Sequence, residues 1–230
     1  MTFELALRAT EILLALALIQ HSAEHLVGSA WEKRVFGVRI LACLLLLTGF
    51  APVITLILLA GLSLLILHHF QGPFNGGSDR MSLLILWCLL GAHLAPNSLW
   101  AEAAMAYLAV QVTLSYFISG QVKIVNPEWR SGRALRDVFA FSAYPVSEDL
   151  RAFSRRSTLL LVGSWAVMGF EVLFPLALLT QPTFIAMLFI TASFHVANAC
   201  LFGLNRFVWA WLASYPSLIW FQARVVDGLF

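Results

Sequence analysis

The run Val53-Ile54-Thr55-Leu56-Ile57-Leu58-Leu59-Ala60-Gly61-Leu62-Ser63-Leu64-Leu65-Ile66-Leu67-His68-His69 contains no Lys, Arg, Asp or Glu. A spanning α-helix needs about 20 mostly apolar residues, with roughly 17 to 25 usual, so this stretch reads as a transmembrane helix. The rest of the 230-residue chain agrees. Hydrophobic residues make up 60% and charged residues only 11%, against about a quarter charged in a soluble domain. A soluble core cannot absorb that apolar excess, but a bilayer can. Further apolar segments lie at about 5–27, 37–50, 81–96, 102–119, 158–179, 183–204 and 207–222. The expected fold is all-α, a multi-pass transmembrane bundle of about eight helices. It forms a single integral-membrane domain over 1–230. Segment 37–50 is short for a span. Arg39 is expected to snorkel at its start, and Pro52 follows its end, so segments two and three alternatively make one re-entrant unit. With Glu4 and Glu11 present and no small-residue cleavage site, the N-terminus reads as a mature helix rather than a signal peptide.

Charge placement supports this count. If the N-terminus lies on one side and the spans alternate, twelve of the fourteen Lys and Arg fall on the other side, leaving only Arg8 and Arg224 with the N-terminus. The positive-inside rule then puts the N-terminus outside and the polar stretch 120–157 in the cytoplasm. That stretch mixes Trp129, Leu135, Val138, Phe139 and Phe141 with arginines, which suits a helical loop in the membrane interface. Ser147-Glu148-Asp149, after Pro145, reads as a capped helix start leading into the sixth span. The net charge of +2 gives no sign of a nucleic-acid partner. Cys43, Cys88 and Cys200 are far apart and inside apolar runs, and read as buried packing residues.

Ionisable groups at bilayer depth are costly and are functional candidates by default. His21, Glu24 and His25 share a face of the first helix by their i, i+3, i+4 spacing. H-x-x-E-H is also a zinc-binding pattern, and His68 and His69 would add ligands from the third helix, making a metal site of His21, Glu24, His25, His68 and His69. The plainer alternative is a hydrogen-bonded cluster that helps helices pack. Glu171 and His195 lie deeper, on consecutive antiparallel helices. They are expected to meet near mid-membrane, either to hold a proton or to bond the helices together. His93, near Pro96, reads as an interface residue.

Three segments resemble a known family. The first is Phe74-Asn75-Gly76-Gly77-Ser78-Asp79-Arg80. The second is Tyr116-Phe117-Ile118-Ser119-Gly120-Gln121-Val122-Lys123, followed by Trp129 and Gly132-Arg133-Ala134-Leu135. The third is Phe170-Glu171 with Pro175, then Phe194-His195, Gly203 and Phe207. Over about residues 35–222 the chain resembles the horizontally transferred transmembrane (HTTM) domain family, which includes the vitamin K-dependent gamma-carboxylase and many bacterial proteins. The resemblance implies a bacterial inner-membrane enzyme of lyase or oxidoreductase type. It would use a reduced quinone or similar lipophilic cofactor on a small or peptide substrate. It makes Lys123 the base, just past the fifth helix, with Glu171 and His195 as catalytic partners and Asn75, Asp79 and Trp129 as substrate or cofactor contacts. Partial burial favours an unprotonated lysine, although a lysine at a helix end also serves as an interfacial anchor.

The chain also departs from the carboxylase. Gly76-Gly77-Ser78 stands where the eukaryotic enzyme uses a histidine, and the large substrate-holding extramembrane domain is not expected here. The eukaryotic enzyme works on the lumenal side, whereas the charge count puts Lys123 in the cytoplasm. Two alternatives stay open: a membrane metalloenzyme built on the His/Glu cluster, and a non-enzymatic accessory subunit or small-molecule binder.

Overall fold

The computed structural model describes residues 1–70, 77–142 and 147–229, with side chains described through 226. It is helical, with no strand among the described residues. The long helices are α1 (Phe3–Glu24), α2 (Ala30–Thr48), α3 (Pro52–His69), α4 (Gly77–Leu94) and α5 (Ser98–Val125). Two short helices follow, α6 (Pro127–Arg130) and α7 (Arg133–Phe141). The 3-10 segment Glu148–Arg155 leads to α8 (Ser157–Ala177), α9 (Gln181–Phe202) and α10 (Asn205–Leu229). Each expected span coincides with one long helix. α3, α5, α8 and α9 are long and apolar enough to cross a membrane. Their outward side chains are apolar, as in Ile54, 71% exposed, and Phe189, 74% exposed. With lipid as solvent such side chains need no protein cover. The chain is a membrane protein with an all-α bundle fold.

The residues group into two compact units. The first comprises Met1–Val110 and Arg206–Ala223, the second Gln111–Asn205 and Arg224–Phe230. In the first unit α1 packs against α2 and α4, and α3 against α2 and α4. Segments two and three form two separate helices. Gly49 ends α2 at φ 76°, and Ala51 precedes α3 at φ 44°. A glycine supplies the left-handed conformation at little cost, and Pro52 then opens α3 where its missing N–H is harmless. Arg8 donates to the α2 C-terminal carbonyls of Leu46 (2.9 Å) and Leu47 (2.6 Å) and to Glu11 (2.6 Å). Glu11 also bonds His93 of α4. His93 is therefore also an interhelical partner.

Other details differ from expectation. α2 begins at Ala30, ahead of the apolar run, because Ser29 and Glu32 form a reciprocal capping box. Arg39 therefore sits inside the helix, 3% exposed, and does not snorkel. Cys43 and Cys88 are buried, but Cys200 is exposed on α9.

In the second unit the stretch after α5 is helical and amphipathic. Phe139 of α7 is buried against Phe153 and Phe202, while Arg133 and Arg136 face outward. Ser147 does cap a helix start, bonding the Asp149 N–H. That start opens the 3-10 segment, which ends before α8 begins at Ser157. Pro145 lies outside the described residues.

Candidate functional site

The second unit holds the densest arrangement of the expected catalytic residues. Tyr116, Ser119, Gly120 and Lys123 recur at i, i+3, i+4 and i+7, so they form one stripe along α5. α5 continues to Val125, which puts Lys123 on its last turn instead of past its end. Gly120 does not stop the helix. It lets α8 come close, since a Cβ there would lie 2.8 Å from Glu171 Cβ, Val172 Cγ2 and the Val172 backbone nitrogen.

That approach sets Glu171 opposite Lys123. The Lys123 ammonium donates to Glu171 Oε1 (2.8 Å), Glu171 Oε2 (2.7 Å) and Ser119 Oγ (2.5 Å). Ser119 Oγ in turn donates to Glu171 Oε1 at 3.2 Å. Glu171 is 3% exposed in its side chain and Lys123 16%. All three N–H groups of the ammonium are thus used. The Lys123 Nζ also lies 5.3 Å from the Trp129 ring centroid, within cation–π range. Trp129 is held by α8, where Ser164 Oγ donates to its carbonyl at 2.5 Å and Trp165 Nε1 donates to the Arg130 carbonyl at 3.2 Å.

Two turns before Lys123 on the stripe, the Tyr116 hydroxyl lies 2.8 Å from His195 Nε2, and its ring stacks on Phe174 of α8 at 4.5 Å. Glu171 and His195 therefore do not bond each other. Each has its own partner on α5, because the i, i+7 offset of Tyr116 from Lys123 separates the two contacts along the helix. Ser119 and Tyr116 were not singled out from the sequence as site residues, although their spacing from Lys123 carries the signal.

The chemistry of the triangle follows from its net charge. A buried ion pair and its neutral amine–acid form are both uncharged overall. Moving a proton from Lys123 to Glu171 therefore creates no net buried charge, and it frees the Nζ lone pair. A buried cation without a carboxylate has no such route.

The remaining candidates lie in the first unit. His21 Nδ1 is 3.4 Å from Asp79. Glu24, at the end of α1, is bound by Arg206 Nε at 2.7 Å. His25 begins a 3-10 turn rather than continuing α1. It bonds Glu32 at 3.1 Å and stacks on Phe36 at 4.1 Å. His69 stacks on Trp31 at 3.9 Å, and His68 is exposed. Among the described residues, no three His, Cys, Asp or Glu come together in a group able to hold a metal. Asn75 lies outside the described residues. Glu32, which precedes the apolar part of α2, has its carboxyl held down at about 2 by the Ser29 backbone N–H, then by His25 and the Ser29 hydroxyl.

A family model described as the HTTM domain matches residues 94–223. That range includes Lys123, Trp129, Glu171 and His195, and leaves Phe74–Arg80 outside. Compared with curated proteins and with solved structures, the chain matches none.

Proposed function

Because the chain belongs to the HTTM domain family, we propose that it is a membrane enzyme of the gamma-carboxylase-like kind, with Lys123 as its base. The observation that carries this reading is the Lys123–Glu171–Ser119 triangle beside Trp129. The residues fit a lipid-soluble hydroquinone, since a basic nitrogen for an acidic hydroxyl lies beside an indole face for an aromatic ring. When bound, such a cofactor supplies reducing equivalents for oxygen chemistry that the side chains themselves lack. Glu171 takes the resting proton of Lys123, so Nζ can accept one from the ligand. Ser119 holds both groups in line, and the Tyr116–His195 pair stands two turns from Lys123 as a second proton holder. The twelve-to-two split of basic residues supports a cytoplasmic 120–157 loop and an outside N-terminus in a bacterial inner membrane.

The test is quinol-dependent oxygen consumption by purified protein in lipid nanodiscs, with mass spectrometry of co-purifying lipids. Lys123→Ala is expected to abolish turnover while membrane expression persists. Retained turnover in that variant would sink the proposal.

A second reading is favoured by one detail. The Lys123 ammonium has no N–H left for a ligand, as in a purely structural lock between helices. Lys123→Met combined with Glu171→Leu separates the two readings. A well-folded double variant that keeps the biological function supports the lock, and a well-folded inactive one supports the enzyme.

A further inference from the structure

The second unit carries a basic surface outside the Lys123 triangle. Between α5 and α8, residues 126–156 hold six arginines against four Asp and Glu. Apolar side chains lie open among them, with Phe141 79% and Phe153 41% exposed. Exposed aromatic groups interleaved with arginines suit the plane where lipid headgroups meet acyl chains.

α8 fixes the depth of this region. Its 21 residues rise about 31 Å at 1.5 Å each, close to the thickness of the hydrocarbon core. Arg155 and Arg156 are exposed just before it, while the apolar Leu159 and Val162 are exposed on its first turns. The boundary between headgroups and acyl chains therefore falls near Ser157. A cavity of about 160 Å³ opens at that level, lined by Ser131, Gly132, Arg133, Arg136, Ser157 and Leu160. Its wall carries two guanidinium groups and two hydroxyls, and no carboxylate among the described residues. Gly132 draws α7 onto α8, since a Cβ there would lie 2.9 Å from Leu161 Cα. The starts of both helices thus border the cavity, and neither has a side-chain cap. Their first N–H groups add partial positive charge to that of the arginines.

We propose that this cavity binds the phosphate of an anionic phospholipid, held by Arg133 and Arg136. Phosphate oxygens accept from guanidinium groups in bidentate fashion and from the two serine hydroxyls. A water needs roughly 10–15 Å³ of such space, so the cavity admits a phosphate with its four oxygens. Both arginines have acids nearby, Glu128 2.8 Å from Arg133 and Asp137 3.9 Å from Arg136. These pairs are about half exposed, and surface pairs of that kind are worth little. Each guanidinium also has five N–H donors, more than one carboxylate fills. An anionic headgroup is favoured over a zwitterionic one, whose cation would meet a surface with excess positive charge. The site uses none of the Lys123 chemistry and stands or falls separately from it.

The experiment titrates the full chain in detergent micelles with phosphatidylglycerol, read by native mass spectrometry, against phosphatidylcholine as the zwitterionic control. Saturable binding is expected, several-fold tighter for phosphatidylglycerol. Arg133→Gln combined with Arg136→Gln is expected to weaken it about tenfold. Ser157→Leu keeps every charge but fills the cavity, and is expected to weaken it as much. Arg130→Gln combined with Arg155→Gln removes the same charge outside the cavity, and is expected to change binding by less than about twofold at physiological salt. All variants are compared at unchanged helix content. Equal binding of the two lipids overturns the proposal, as does an equal loss in the two double variants, the mark of a diffuse basic surface. Inorganic phosphate that displaces the lipid at equal concentration overturns the lipid assignment.

Discussion

Lys123 and Arg39 are both cations inside apolar helices, and the chain treats them in opposite ways. Lys123 spends all three donors on Glu171 and Ser119. Arg39 keeps Nε and Nη1 open beside a cavity. The first is a closed circuit whose parts need one another. The second keeps two donors open, with the Asp79 carboxylate in the same cavity wall. The contrast teaches that burial alone does not say what a charge is for, because what decides is whether its donors are already used.

This contrast predicts unequal responses to substitution. The largest effect is expected from Glu171→Ala. Removing one partner of a buried pair strands the other, at a cost of about 3–5 kcal/mol. Adding Lys123→Met to that background is expected to recover most of the loss. Equilibrium unfolding in mixed micelles measures both, and a double variant as unstable as the single one breaks the picture of a mutual lock.

Gly120→Ala is expected to come next. The added Cβ meets a backbone nitrogen and a Cβ at 2.8 Å. Overpacking of this kind costs about 1–3 kcal/mol, toward the upper end where backbone has to move. The same unfolding measurement checks it, and an unchanged midpoint would show that α5 and α8 can separate freely there.

Arg39→Met is expected to cost far less than Glu171→Ala. It removes the cost of burying a cation with open donors, but it also removes the positive charge in the cavity wall that Asp79 lines, so a net change within about 1 kcal/mol is expected. A loss comparable to that of Glu171→Ala would make Arg39 a structural cation after all.

The smallest effect concerns a half-buried group near the start of α2. The Glu32 carboxyl is held at about 2, below its ordinary 4.5, by Ser29 and His25. A depressed carboxyl contributes stability that is fully present above its unfolded value and lost as pH falls through the folded one. Stability should therefore decline between about pH 4.5 and pH 2, and Glu32→Gln should flatten that part of the profile. Thermal midpoints across this range decide it.

Hydropathy made the long helices among the described residues legible, and four of them, α3, α5, α8 and α9, are long and apolar enough to cross a membrane. The ends were less so. Residue 119 looked like the end of the fifth span, since Gly120 and Lys123 follow. Yet α5 runs on to Val125, because the glycine serves a helix contact rather than a turn. Pairings were least legible. His21, Glu24 and His25 share a motif, but His21 faces Asp79, while Glu24 and His25 meet Arg206 and His25 also bonds Glu32. Those partners are far away in sequence or come after the helix has ended. Glu171 and His195 were recognisable as buried groups, but their actual partners depend on a helical stripe that only the length of α5 reveals. The open donors of Arg39 had no signature at all, since a lone arginine near a helix start reads as one reaching for water.

The grip of Arg8 on α2 also bears on how the chain enters its membrane. Arg8 emerges from the ribosome 38 and 39 residues before the carbonyls it holds, and Glu11 precedes His93 by 82. The first helix therefore cannot settle alone in lipid with its polar groups answered. Until its neighbours arrive, the 2.6 Å bond between Arg8 and Glu11 is its own counter-ion, carried within a single turn. A hairpin of α1 and α2 is then the smallest piece in which Arg8 has all these acceptors, and α4 adds the His93 partner of Glu11.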